Sequence, residues 1–174
     1  FVFLTRPSLI ALMRDWAGLG ERVQLLGSTD PKKDNRSHVA LMSLPRLFGT
    51  DLHTIPSICP YLKPPEPPRA SLRVDNPPGG ISVGIVWASN PDNKLMYRRK
   101  SIPLEDILNP LLPALREDLF ELHSLQVGED AKSLSYYSST SNIVDWNGRL
   151  GDFADTAYVV SQLDLVISVD TGVA

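Results

Sequence analysis

Two short stretches of this chain carry side chains suited to holding a phosphorylated ligand. One is the run of three cations Arg98-Arg99-Lys100; the other is the turn Asp170-Thr171-Gly172. A guanidinium grips a phosphate oxygen pair through two parallel hydrogen bonds, whereas an ammonium acts as a compact point charge. A diphosphate is therefore a fitting partner for the cluster. The DTG turn suits the same ligand differently: glycine lets backbone come close, threonine offers a hydroxyl, and a helix starting there aims free N–H groups outward. Each stretch also has a simpler use. A basic run can be a solvated loop, and Asp170 or Thr171 can cap a helix.

No other grouping is comparably suited to chemistry. His38, His53 and His123 lack metal-ligand spacing and read as structural or exposed residues. Cys59 has no activating neighbour in sequence, and as the sole cysteine it excludes an internal disulfide and a cysteine-based zinc site. Trp87 and Trp146 read as packing residues, and Ser133 to Ser141 as a mobile surface loop. No P-loop, nucleophile elbow or hydrolytic triad is present.

What must position the two stretches is a set of buried strands. Ile81 to Trp87 is apolar and β-branched and predicts a buried strand running into an irregular polar loop, Ala88 to Lys100. Leu163 to Val169 is an almost continuous apolar run and predicts a central parallel strand covered on both faces, running into DTG and a helix. If both strands share one sheet, both loops open on the same edge, where open α/β sheets bind ligands.

Further strands are predicted at Phe1 to Thr5, Arg22 to Leu26, His38 to Leu44, Leu119 to Gln126 and Asn142 to Trp146. Pro7-Ser8 opens a helix carrying Leu9, Leu12, Met13 and Trp16 that Gly18 and Gly20 end, with a polar stretch from Ser28 to Ser37 after the second strand. A second helix enters at Ser101-Ile102-Pro103, with Leu104, Ile107 and Leu108 inward and Pro110 and Pro113 as breaks. Asp152 is placed to cap a third, with Phe153, Ala157, Val160 and Leu163 on one face.

Strand and helix alternate on both sides of a proline-rich stretch. Seven of the 15 prolines fall between Pro60 and Pro78, and such a density blocks helix and central strand alike. The division is therefore a first lobe at 1–62, a linker at 63–80 and a second lobe at 81–174. With 174 residues, 43% hydrophobic and 21% charged, the chain is long enough for one domain or for unfinished pieces of two. A net charge of -3 argues against a nucleic-acid or anionic-membrane partner, and no apolar run approaches the roughly 20 residues of a membrane span. The first residue, Phe1, is strand-like and Ala174 falls where a helix is expected to start, so both lobes are expected to be incomplete and to expose sheet edges.

The combination VGIVWASNP, RRKSIPLEDIL, SLQ and DFADTAYVVSQLDLVISVDTGVA resembles the glycosyltransferase-like domain that follows tetratricopeptide repeats in bacterial proteins. That group is related to heptosyltransferases and, more distantly, to O-linked N-acetylglucosamine transferases. In the first half, ALMSLPRLFGTDLHTIPSICPYL resembles the end of the family's N-terminal lobe. The resemblance implies an α/β fold of GT-B type, with two parallel-sheet lobes of Rossmann-like form and the sugar-nucleotide donor held by the second.

It further implies metal-independent chemistry with no cofactor. Arg99 or Lys100 would stabilise the leaving diphosphate, and Ser89, Asn90, Arg98, Ser101, Gln126, Asp170, Thr171 and Gly172 would serve donor binding. The partners it implies are a nucleotide-diphosphate sugar and an acceptor whose class is left open among protein, lipid and glycan. A cytoplasmic, inverting glycosyltransferase is the expectation, with no general base within these residues. The alternatives are a non-catalytic sugar-nucleotide-binding or interaction module and a sugar-nucleotide epimerase on the same fold.

Overall fold

The computed structural model describes residues 1–14, 16, 20–27, 38–66, 70–75, 79–137 and 143–174. The expectations for Gly18, for the polar stretch 28–37, for linker residues 67–69 and 76–78, and for 138–142 lie outside them. The chain is mixed α/β with parallel sheets, divided into Phe1–Lys63 and Pro64–Ala174.

In the first unit, β1 (Val2–Thr5) and β2 (Gln24–Gly27) pair in parallel with Val2 opposite Gln24. Between them a 3-10 turn at Pro7–Leu9 leads into α1 (Ile10–Met13), with proline in the first turn, where its missing N–H has no partner to lose. The strand expected at His38 to Leu44 is not formed. Leu41–Ser43 is a 3-10 turn and Leu44–Leu47 is the short helix α2, with Pro45 again in its first turn. Pro45 is tolerated in the first turn of α2, where its missing N–H has no helical partner to lose. Met42, Phe48, Leu52 and Ile58 of this unit are all highly exposed.

The second unit is built on four parallel strands: β3 (Ile81–Val86), β4 (Phe120–Ser124), β5 (Ile143–Asp145) and β6 (Leu165–Ser168). Their spatial order is β5-β4-β3-β6. The chain thus builds outward from β3 through β4 to β5, then returns to the other flank of β3. Val83 pairs with Leu122 on one side and Leu165 on the other.

Alternation along β3 divides the core between the two faces of the sheet. Val83, Ile85 and Trp87 pack with Leu122 and with Leu104, Leu108 and Leu115 of α4 (Leu104–Arg116). On the opposite face Val86 joins Leu125, Trp146, Leu72, Val74 and Val159 of α5 (Phe153–Val160). Gly84 also points that way, and a Cβ there would stand 2.7 Å from Leu163 Cδ1 and 2.9 Å from Leu125 Cδ1.

Pro110 and Pro113 do not break α4, which runs through both. Both lie on its exposed side, where carbonyls that lose a helical partner are within reach of solvent. The supposed linker is partly core: Leu72 and Val74 are buried. Gln162 fastens that segment, donating from Nε2 to Leu72 O (3.1 Å) and accepting Val74 N–H at Oε1 (3.0 Å).

Asp152 caps α5 as expected, accepting from Ala154 N–H and Asp155 N–H. The fully buried positions of that helix are Ala154, Asp155 and Val159, so its inner face is turned from the predicted stripe. Nor is β6 a central strand. Among the described residues it is the edge of the sheet, with Leu165 53% and Ile167 37% exposed. Ser133 to Tyr137 belong to a 3-10 segment, Glu129–Tyr137, that buries Ala131 and Leu134 rather than to a mobile loop.

Candidate functional site

Because β6 returns beside β3, the loops leaving their carboxyl ends start side by side. Val86 pairs with Ser168, and Val169 N–H donates to Val86 O at 3.1 Å. This is the point at which strand order reverses, where α/β sheets open a crevice for ligands.

The first loop is more ordered than its composition predicts. Asn90 Oδ1 accepts Asp92 N–H (3.0 Å), making a local turn. Asn93 Oδ1 then accepts Met96 N–H (3.1 Å) and caps α3 (Lys94–Lys100), a helix where an irregular loop was expected. Ser89 N–H donates to Ser101 Oγ (2.9 Å) and Ile102 N–H to Trp87 O (3.0 Å), so the two ends of the excursion are tied together. Tyr97 packs against the core and donates its hydroxyl to Asp130. That bond, then burial, raises the phenol above its ordinary value.

Gln126 anchors the base of this loop. It is 5% exposed, and its Oε1 receives both Trp87 N–H (3.2 Å) and Ala88 N–H (2.9 Å) while Nε2 donates to Val127 O (3.3 Å). These are the first N–H groups beyond β3, and without the carboxamide they would be buried donors lacking partners. Of the residues the sequence associates with donor binding, Ser89, Asn90, Ser101 and Gln126 are thus engaged in shaping the loop.

The cations occupy the last turn of α3. There they also meet the negative end of the helix dipole, a structural reason for three basic residues in a row. Arg98 and Arg99 are exposed, and among the described residues neither forms an ion pair. Lys100 is different. Its Nζ lies 2.7 Å from Asp170 Oδ2, so the two stretches singled out by their chemistry touch across the β3–β6 edge.

The second loop is a tight turn. Thr171 Oγ1 accepts Val173 N–H (3.2 Å), and Ala174 N–H donates to Thr171 O (3.3 Å). Gly172 and Val173, where a helix is expected to start, are in turn conformation. Asp170 does not cap this turn; its carboxylate reaches Lys100 instead. Glycine at 172 has a packing reason, for a Cβ there would lie 2.8 Å from two ring carbons of Phe153.

No family model, curated protein or solved structure matches this chain. Among the described residues no three His, Cys, Asp or Glu side chains converge as a metal site, and no helix is long and apolar enough to cross a membrane.

His123 was the feature whose surroundings spacing could not disclose. It is 1% exposed, and its Nδ1 accepts Trp146 Nε1–H at 3.1 Å. Its Nε2 lies 3.2 Å from Glu121 Oε2, yet the two are not aligned as a hydrogen bond. Burial depresses the imidazole to about 4. Glu121 is raised by its own burial and then by Asp75. Arg149 stacks on Trp146, 3.9 Å from the ring centroid. This assembly lies within the sheet and its covering layer, so of the two readings, structural or exposed, His123 is not the exposed one.

Proposed function

We propose that residues 64–174 form the donor side of a metal-independent, inverting glycosyltransferase of GT-B type that uses a nucleotide-diphosphate sugar. The observation carrying this reading is that Lys100 and the Asp170-Thr171-Gly172 turn stand together at the carboxyl edge of β3 and β6. The motif resemblance supports the same ligand class, and this edge is the strand-order reversal, where open α/β sheets bind ligands.

In the proposed reaction an acceptor oxygen attacks the anomeric carbon as the bond from that carbon to the diphosphate oxygen breaks. The electron pair leaves with the diphosphate, and the acceptor proton passes to a base. Negative charge grows on the departing oxygen, and a preorganised cation is most effective there. Lys100 is the better placed of the two candidates, being partly buried against the neighbouring loop, while Arg99 and Arg98 face solvent. The arginines add long-range attraction for a polyanion.

Replacing Arg99 and Lys100 together by Ala tests the assignment. Loss of binding to a panel of nucleoside diphosphates supports it, and unchanged affinity removes it. The second reading is a non-catalytic sugar-nucleotide-binding module. It needs only the paired loops that carry Lys100 and the turn, and no base. A donor that binds but is neither transferred nor hydrolysed by the protein would support the module.

A further inference from the structure

Asp170 stands in a turn that does not need it. The local hydrogen bonds are made by Thr171, through its Oγ1 and its carbonyl. Among the described residues the Asp170 carboxylate has one partner, the Lys100 ammonium at 2.7 Å. Exposure within the pair is lopsided. Lys100 is 33% exposed, while Asp170 is 78% exposed and can swing into water.

We infer that Asp170 is an internal counter-ion that occupies the anion position of Lys100 and must be displaced by the diphosphate, thereby setting how much negative charge a ligand needs to enter. The inference rests on the diphosphate reading above and deepens it, because it gives Asp170 the role of competitor rather than contact. A part-exposed ion pair is weak, worth at most about 1 kcal/mol. A diphosphate, which offers several charged oxygens, can replace the single carboxylate and still gain. A ligand with a single negative charge gains little from the exchange. The pair thus keeps the ammonium oriented while the site is empty and favours multiply charged ligands over singly charged ones.

The experiment is a calorimetric titration of inorganic diphosphate into the full chain and into Asp170→Asn, Lys100→Met and the double variant. Asp170→Asn should bind about three- to fivefold more tightly than the unaltered chain, the factor released by breaking a part-exposed pair. In the Lys100→Met background the same Asp170→Asn change should give no gain, which separates a local competitor from a general change in charge. Asp170→Glu, which keeps a carboxylate within reach, should return affinity toward that of the unaltered chain. Equal or weaker binding by Asp170→Asn, or a gain that persists without Lys100, overturns the inference. Lys100-dependent binding with no gain overturns this inference alone. Absence of binding to both the unaltered chain and Asp170→Asn overturns the diphosphate reading with it.

Discussion

The carboxamide oxygen of Gln126 receives the backbone N–H groups of both Trp87 and Ala88, so one side chain from the end of β4 determines how the chain leaves β3. Everything proposed for Lys100 depends on that exit, because α3 and its cations lie on the excursion that starts there and closes at Ser101. Ser101 closes the excursion at its other end by accepting Ser89 N–H.

Gln126→Leu should therefore damage both stability and binding. It keeps much of the volume but strands two buried donors, each costing about 1–3 kcal/mol. Chemical denaturation should show a loss of at least about 2 kcal/mol, and diphosphate affinity should fall with it. Unchanged stability would mean that the two N–H groups find other partners.

His123 makes stability sensitive to acid. In the folded chain its imidazole titrates at about 4, against 6.5 for the free side chain. Between these values the unfolded chain binds a proton that the folded chain refuses, so stability is present above 6.5 and is lost as pH falls toward 4. The expected loss is roughly 2–3 kcal/mol from this group. Glu121, whose carboxyl is raised, acts with the opposite sign near the usual carboxylate range and offsets part of it. Denaturation midpoints for the unaltered chain and His123→Gln, followed from pH 7 to pH 4, check the sign. The slope over the upper part of that window should flatten in the variant.

Gly84→Ala probes how closely the strand-order reversal is packed. The new methyl would meet Leu163 and Leu125 at 2.7 and 2.9 Å, between β3 and the layer that carries α5. Overpacking of this kind costs about 1–3 kcal/mol. Thermal unfolding should register the loss, while a midpoint equal to that of the unaltered chain would show that the leucine methyls move aside freely.

The parts of this architecture readable in sequence are those written in local pattern. Ile81 to Val86 forms β3 as its β-branched, apolar run predicts, and Asp152 caps α5 through two backbone donors. The proximity of the cation cluster to the DTG turn followed from requiring both strands to share a sheet, and β3 and β6 do pair. What failed were readings that treated proline or hydrophobicity as sufficient. Pro110 and Pro113 sit on the wet side of α4, where a missing N–H costs less, and the run before Pro45 winds into a turn and helix. An apolar run also cannot say which flank it takes: Leu165 to Ser168 is hydrophobic enough for a central strand yet lies at the described edge.

The individual contacts within the site were not legible. Nothing in the string of residues distinguishes Lys100 from Arg99 as the cation that meets Asp170, since the choice depends on where α3 ends. Nor does it disclose that the glycine of DTG makes room for Phe153. Likewise Gln126 reads as a ligand contact in a motif, whereas its carboxamide oxygen is occupied by two backbone donors. These are long-range relationships, set by the strands that flank β3 on either side.

The most direct test of the central claim is residue-resolved NMR of the isotopically labelled chain during titration with uridine, guanosine and adenosine diphosphates. Saturable shifts are expected for at least one of them, concentrated in Ala88 to Ser101 and Val169 to Val173 and abolished by Lys100→Met. Shifts confined to other parts of the chain, or none with any of the three, would contradict it.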